Sequence, residues 1–400
     1  LIYFQGNMYF SINIAVELMV LLAVACVLTV VMALWRWART RKLARFVDSE
    51  QARNYLSDEE LPAVSIVVYA HNDAESLARF LPLILQQDYP LFEVIVVDNG
   101  SYDATPDVLS DLTAQYSNLR VTFSPDDTRA LSRKKLCLMM GIKAARHDIV
   151  LSTQANCSVP GNNWLRLMMR NFTPGTDVVL GYSHYSYDED SGPCHRYRAF
   201  DTVTGSIQWL LSAIAGRPYR GTGDNLAYRR RLFFENKGFS KNLDLRWGDD
   251  DVFVSEIAHA GNTRVELNPE SQVLTHYNQV GHAHSILKLR RDFTLSLVAS
   301  GRESVKQGLF SMVNYMRLAC LIGAIGLDFS NLFVLGMSGL LLVLSWILAI
   351  VPYNRAARLL QAPRLLLAVP LLDLWRPVVN LYYRWRGRFA RSANYTSIYD

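Results

Sequence analysis

Apolar positions are spread unevenly along this chain. From Ile12 to Trp35 it is almost uninterruptedly apolar, with Glu17 as its one acid. A bilayer core is crossed by about 20 such residues at a rise of 1.5 Å each, so residues 8–35 are expected to form a transmembrane helix. Arg36, Arg39, Arg41, Lys42 and Arg45 follow directly. Basic residues flanking a span mark its cytoplasmic end, and 36–60 reads as a basic juxtamembrane linker. A second apolar region, 311–351, is interrupted by Asp328, Ser330 and Asn331 and followed by Arg355, Arg358 and Arg364. It predicts a transmembrane hairpin of helices over 312–327 and 332–350. The run from Leu365 to Tyr383 contains Pro370, Asp373, Arg376 and Pro377 and leads into Arg384, Arg386, Arg388 and Arg391. That mixture predicts an amphipathic helix over 364–391 lying in the membrane interface.

Between these ends the period changes. Val64 to Tyr69, Glu93 to Val97, Leu119 to Phe123 and Ile149 to Ser152 are short runs rich in β-branched residues. They alternate with helix-like segments over 74–87, 105–116 and 133–145; in the first, Leu77, Phe80, Leu81 and Leu85 recur at helical spacing. Such alternation predicts an α/β domain over 61–305 with a mostly parallel sheet covered on both faces. Ligands of these sheets sit beyond the carboxyl ends of the strands, which directs attention to Ala70 to Asp73, Asp98 to Ser101 and Thr153 to Cys157.

Composition agrees with this division. Half of the 400 residues are hydrophobic and 19% are charged, below the roughly 25% of an ordinary soluble domain. The net charge of +5 is mild; the arginines cluster beside the apolar segments, so no nucleic-acid partner is expected. Five cysteines without C-x-x-C spacing read as reduced thiols. The opening LIYFQG reads as the remnant of a cleavable tag, with Met8 as the native start.

Five segments carry a resemblance: PAVSIVVYAHNDAESL from Pro62, VIVVDNGSYDAT from Val94, SRKKLCLMMGIKAA from Ser132, GTGDNLAYRR from Gly221 and WGDDDVF from Trp247. In this order and spacing they resemble membrane-bound family 2 glycosyltransferases of the GT-A fold. The resemblance implies a Rossmann-like α/β domain that takes a nucleotide-sugar donor. It implies nucleotide and donor contacts from Ala70, Asn72, Glu75 and Asp98, and a phosphate contact from Lys135, with Arg133 and Lys134 beside it. Asp98 also opens a D-N-G turn, and Asn72, Asp73 and Glu75 also suit a helix cap with early acids.

Where the family carries Asp-x-Asp, this chain reads Gln154-Ala155-Asn156. The resemblance implies a divalent cation, Mg²⁺ or Mn²⁺, at the second of these positions. An amide keeps an acceptor oxygen but loses the charge that hard cations prefer. Asn156 and His276 stand as the candidate ligands, with Gln154 at the donor, and three accounts stay open: a metal held mainly by the diphosphate and one amide oxygen, replacement of the metal by cations such as Arg290 and Arg291, or a degenerate donor site. Asp249, Asp250 and Asp251 open a helix expected to reach Ala260. Crowded carboxylates raise the pKa of one of their number, as a general base requires, and the resemblance implies Asp250 as that base with Asp249 beside it. Asp224, Asn225, Trp247 and Asp251 are the acceptor-side candidates. KLRRD from Lys288 replaces the Q-x-x-R-W of processive synthases, which argues against polymer synthesis.

These readings predict an inner-membrane, multi-pass enzyme with its catalytic domain in the cytoplasm. It would transfer a sugar, with inversion, to a lipid-linked or glycan acceptor beside membrane lipids. The amides at 154 and 156 leave a second class open: a catalytically degenerate relative, or a variant in which those amides were introduced, that binds a nucleotide sugar or a partner in a membrane assembly.

Overall fold

The computed structural model describes residues 15–124, 132–245, 247–298 and 301–390; the expected tag remnant, Met8 and Arg391 lie outside the described residues. The chain begins with α1 (Val16–Asp48). Then β1 (Val64–Ala70), α2 (Ala74–Leu85), β2 (Phe92–Asp98), α3 (Thr105–Gln115), β3 (Leu119–Phe123), α4 (Arg133–Ala144) and β4 (Ile149–Gln154) alternate as the sequence pattern predicts. β5 (Cys157–Ser158), α5 (Trp164–Met169), β6 (Val178–Gly181), β7 (Ser183–Tyr185) and the long α6 (His195–Ile214) follow. The domain closes with β8 (Leu226–Arg229), α7 (Arg230–Glu235), α8 (Asp251–Ile257), β9 (Thr263–Glu266), β10 (Val273–Thr275) and α9 (Val280–Leu297). α10 (Gly301–Leu327), α11 (Leu332–Leu359) and α12 (Ala368–Ala390) end the described chain.

The main sheet has the order β3-β2-β1-β4-β8-β6-β9. β1 runs parallel to β2 and to β4, with Ala70 opposite Asp98 and Tyr69 opposite Gln154. Sequence order reverses at β1: β2 and β3 build to one side and β4 to the other. The carboxyl ends of β1 and β4 therefore splay apart into a crevice. Antiparallel β8 lies between β4 and β6. A small sheet, β5-β10-β7, rises beside the crevice.

Both faces of the sheet are covered. Ile66 and Val68 pack with Leu77, Leu81, Leu109 and Trp164 on one side; Val67 and Val97 pack with Ile142, Leu210 and Phe253 on the other. Gly141 lets α4 lie directly on the sheet, since a Cβ there would come within 2.5 Å of Val67 Cγ1.

Among the described residues three helices are long and apolar enough to cross a membrane, within α1, α10 and α11, which marks this as a membrane protein. Leu18, Leu22 and Ala25 of α1 pack on Leu321 and Ala324 of α10 and on Val334 and Leu341 of α11. Asn331 caps α11, its Oδ1 accepting from Phe333 N at 3.1 Å. The expected linker after residue 35 is instead a continuation of α1 to Asp48. Thr40, Leu43 and Ala44 give that extension a buried stripe, and no Gly or Pro breaks it. α11 likewise runs beyond its apolar part, and its Ala349, Tyr353, Ala356 and Ala357 join the same core as Val67. α12 exposes Leu371, Trp375, Val378, Tyr382 and Trp385 at helical spacing and buries Arg376.

Candidate active site

A cavity of about 1150 Å³ opens at the carboxyl ends of β1 and β4, lined by β1, the start of α4, α6, the acidic turn before α8, and α9. Gly248 sets the acidic turn with φ of +103°, and a Cβ there would meet Val252 Cγ2 at 2.7 Å. The turn brings Asp249, Asp250 and Asp251 to the wall. Asp250 is the N-cap of α8: its Oδ1 accepts from Asp251 N at 2.7 Å and its Oδ2 from Gly223 N at 3.3 Å. Arg290 of α9 pairs with Asp249 at 3.0 Å and also with Asp250. Lys134 lies 3.1 Å from Asp249. Asp251 is held by Arg220 at 3.0 Å and by the Thr294 hydroxyl at 2.9 Å.

These environments separate the three acids. Burial works to raise the Asp249 carboxyl, but Arg290 and Lys134 overcome it and hold the group well below the usual carboxylate range. Burial raises Asp251, with Arg220 pulling against it and Asp250 adding to the rise. The Asp250 side chain is 12% exposed against 4% for Asp249 and 6% for Asp251. Asp250 is thus the acid with most access to a substrate in the cavity.

The donor side differs from expectation in several places. Ala70 is buried and its carbonyl accepts from Asn99 N at 3.0 Å. Asp98 is buried and turned into its own loop, accepting from Ser101 N at 3.1 Å and Ser101 Oγ at 2.5 Å. Asn72 has φ of +53° and ties the two loops together, its N donating to Ser101 Oγ and its Oδ1 accepting from Tyr102 N. Glu75 is exposed on the first turn of α2. Among the described residues this edge of the cavity is formed by Tyr69, His71 and Asn99 instead.

Lys135 is also corrected. Its side chain is fully buried, donating to the carbonyls of Asn242, Leu245 at 2.9 Å and Trp247 at 3.0 Å. Burial brings its pKa down to about 8, with Asp249 opposing the fall. Lys135 pins the strand of chain that carries the acids; Lys134 is the cation at the cavity, 3.3 Å from Gln154 Oε1. Helical phase does not separate the two lysines: Lys134 precedes buried Cys137, Leu138 and Gly141 by three, four and seven residues and shares their side of α4, so only the carbonyl partners of Lys135 set the two apart.

Asn225 is a structural residue and not an acceptor contact. It is fully buried, its Oδ1 accepting from Trp164 Nε1 at 3.1 Å and its Nδ2 donating to the carbonyls of Tyr182 and Ser271. Asp224 does face the cavity, accepting from Gln154 Nε2 and from Thr275 Oγ1 at 2.9 Å. Trp247 lines the cavity with its ring edge-to-face to Phe293 at 5.7 Å. Arg291 lines it from below; burial, with Arg220 adding, brings its pKa down to about 10.

Sequence reasoning did not anticipate the ion cluster at the floor. Buried Asp201 accepts from Arg376 Nε at 2.7 Å and Lys288 Nζ at 2.9 Å and lies 3.3 Å from His284 Nε2. Burial alone would raise its pKa, but Lys288 and Arg376 pull it well below its ordinary value.

The two expected metal ligands do not fit that role. Asn156 turns its amide to the His276 carbonyl at 2.7 Å. Both ring nitrogens of His276 are engaged, with Ser158 Oγ at 2.8 Å and Glu189 at 2.7 Å, and the ring stacks on Phe80 at 4.4 Å. The Lys134 ammonium already stands beside the Gln154 oxygen. Among the described residues no three His, Cys, Asp or Glu side chains are grouped to hold an ion.

The sheet order and the crevice define a mixed α/β fold with a mostly parallel central sheet, and comparison with known proteins identifies it. Residues 65–261 match the model of Glycosyl transferase family 2, and the chain carries a family 2 glycosyltransferase domain. It is similar to Glycosyltransferase AglE of Haloferax volcanii, 28% identical over 146 residues, 36% of this chain and 46% of that protein. It is equally similar to Glycosyltransferase GlyG of Streptococcus pneumoniae serotype 4, 28% identical over 156 residues, 38% of this chain and 50% of that protein. The chain thus spans about half the length of the curated relatives it matches. Among solved structures, the mannosyltransferase PcManGT from Pyrobaculum calidifontis, in complex with GDP-Man and Mn²⁺, shares the fold. The TM-score is 0.57 at 19% identity, covering 90% of this chain and 99% of that one.

Proposed function

We propose that the protein is an inverting glycosyltransferase that moves a sugar from a nucleotide-sugar donor to a hydroxyl of a lipid-linked or glycan acceptor at the cytoplasmic face of the inner membrane. Residues 61–305 act as the catalytic domain, and the arginines that follow the apolar parts of α1 and α11 set the orientation. The observation that carries this reading is Asp250: the most exposed of three consecutive acids, capping α8 at the wall of the crevice. In the reaction Asp250 accepts the proton of the acceptor hydroxyl, whose oxygen bonds to the anomeric carbon as the bond to the diphosphate breaks on the opposite face. Asp249 acts through Arg290, holding that guanidinium beside Asp250.

The departing diphosphate needs its growing negative charge met, often the largest single contribution to rate. Lys134 meets it from the α4 side, with Arg133 at the same edge of the cavity. No step is assigned to a metal. Asp224, Trp247 and Asp251, which all line the cavity, serve as the acceptor-side residues.

Asp250→Asn should abolish transfer from a radiolabelled nucleotide sugar while nucleotide binding, followed by calorimetry, persists. Transfer within about tenfold of the parent would reject Asp250 as base, since such a base contributes about 10²- to 10⁴-fold. Loss of nucleotide binding in the parent itself would favour the degenerate-relative reading, which rests on the turned-away amide of Asn156.

A further inference from the structure

α6 separates two cavities. Asp201, Thr202, Ser206 and Trp209 face the active-site cavity, whereas Thr204, Gln208, Leu211 and Ser212 face a second one of about 330 Å³. This second cavity is enclosed by α1, α6, α10 and α12 and takes no part in the chemistry above.

Its wall is cationic. Arg39 and Lys42 of α1, Arg217 after α6, Lys306 of α10 and Arg376 of α12 line it, against Glu303 and Asp373. Both acids are already matched, Glu303 by Lys306 and Asp373 by Arg36. Arg376 is committed to Asp201. Among the described residues Arg39, Lys42 and Arg217 have no carboxylate within ion-pair distance, although all three border the same space. Gln208, Gln307, Ser311 and Thr204 add neutral hydrogen-bonding groups.

Its depth is set by aromatic residues. Trp35, at the end of the apolar run of α1, stacks on Phe310 of α10 with ring centroids 4.2 Å apart. Arg39 lies over the Trp35 ring at 4.3 Å and Arg36 over Phe310 at 5.1 Å. Tryptophan beside arginine is the pattern of the level where hydrocarbon gives way to head groups. Leu34, Leu309 and Trp375, all more than half exposed, continue outward from the same level and offer apolar surface to acyl chains.

We infer that this second cavity binds the phosphate head group of an anionic membrane lipid. Guanidinium groups grip phosphate oxygens in pairs and the lysines add point charge. The volume admits a phosphoglycerol head group. A zwitterionic head group would bring its own cation into a pocket already in excess of positive charge. The inference is independent of the proposed transfer reaction, because binding is read without turnover.

The test uses the full chain in neutral detergent and quenching of Trp35 fluorescence by lipids brominated on the acyl chain, with Trp35→Phe to assign the signal. Brominated phosphatidylglycerol should quench saturably, and the Arg39→Gln/Arg217→Gln variant should weaken its binding about tenfold or more, as expected for two lost charged hydrogen bonds. Lys42→Gln/Arg217→Gln, which alters only exposed residues, serves if the first variant does not fold, and should weaken binding in the same direction. Brominated phosphatidylcholine should quench weakly and equally in parent and variants. Millimolar inorganic phosphate should fail to displace the lipid; full displacement would assign the pocket to free phosphate and overturn the lipid source. Equal affinity for the two lipids, or affinity unchanged in both variants, would overturn the site itself.

Discussion

Lys135→Met asks whether the second lysine of α4 is an anchor or a donor contact. The substitution removes an ammonium that satisfies the carbonyls of Asn242, Leu245 and Trp247 from a fully buried position. A buried acceptor left without a partner costs about 1–3 kcal/mol. Three carbonyls of one loop relax together, so their joint cost is nearer about 5 than about 9 kcal/mol. Burial opposes this, because the fall of the Lys135 pKa from 10.5 to about 8 corresponds to about 3 kcal/mol already spent on the charged form. The net loss is then about 2 kcal/mol, or about 4–8 °C in the unfolding midpoint of a domain this size. Intrinsic fluorescence during heating of the purified chain measures it. Lys134→Met, at the cavity wall, should instead leave the midpoint within about 2 °C and lower transfer about 10²-fold, the scale of losing one charge-stabilising donor. A Lys135→Met protein with the parent's midpoint and a weakened grip on nucleotide would refute the assignment.

Two further outcomes follow. Chelation by EDTA should lower transfer less than about tenfold, and added Mn²⁺ should not restore a large rate, since charge stabilisation rests on Lys134 rather than on Asn156; an EDTA-dead enzyme revived by Mn²⁺ would contradict this, and Asp224→Asn would then show whether that carboxylate holds the ion. Asp201→Asn should destabilise the protein by about 3–5 kcal/mol near neutral pH, where it strands Lys288 and Arg376. Because the Asp201 pKa is depressed in the fold, its contribution is complete above the ordinary value of 3.8 and is lost as pH falls toward the folded value. The midpoints of parent and variant should therefore keep their gap above about pH 4 and draw together only as pH falls below it, and a gap already shrinking between about pH 7 and about pH 5 would show that the cluster does not act through this carboxylate.

The sheet was legible because its central strands are continuous β-branched runs, and a strand buried on both faces admits little else. The acids of the turn were legible as a local run. What escaped were roles decided by distant partners. Asn225 reads as a polar contact until Trp164, sixty-one residues upstream, takes its oxygen. Asp201, Lys288 and Arg376 lie on three separate helices and carry no shared spacing. Asn156 and His276 are neighbours only because β5 pairs with β10. The Lys134 and Lys135 choice escaped in the same way, because it is decided by the carbonyls of Asn242, Leu245 and Trp247, more than a hundred residues downstream. The expected linker failed for a related reason: Leu43 and Ala44 repeat the protein-facing stripe of α1, so the helix outlasts its apolar run.

The shared core of domain and anchors has a consequence for which molecules can react. Leu43 of α1 and Ala349, Tyr353 and Ala356 of α11 are packed in one core with Val67 of the sheet, so among the described residues the α/β domain and the long helices form one continuous body. In the proposed orientation this packing holds Asp250 at a constant height above the bilayer. For the lipid-linked acceptors proposed above this sets a gauge: the distance between the anchor of such a molecule in the lipid and its reactive hydroxyl must equal that height.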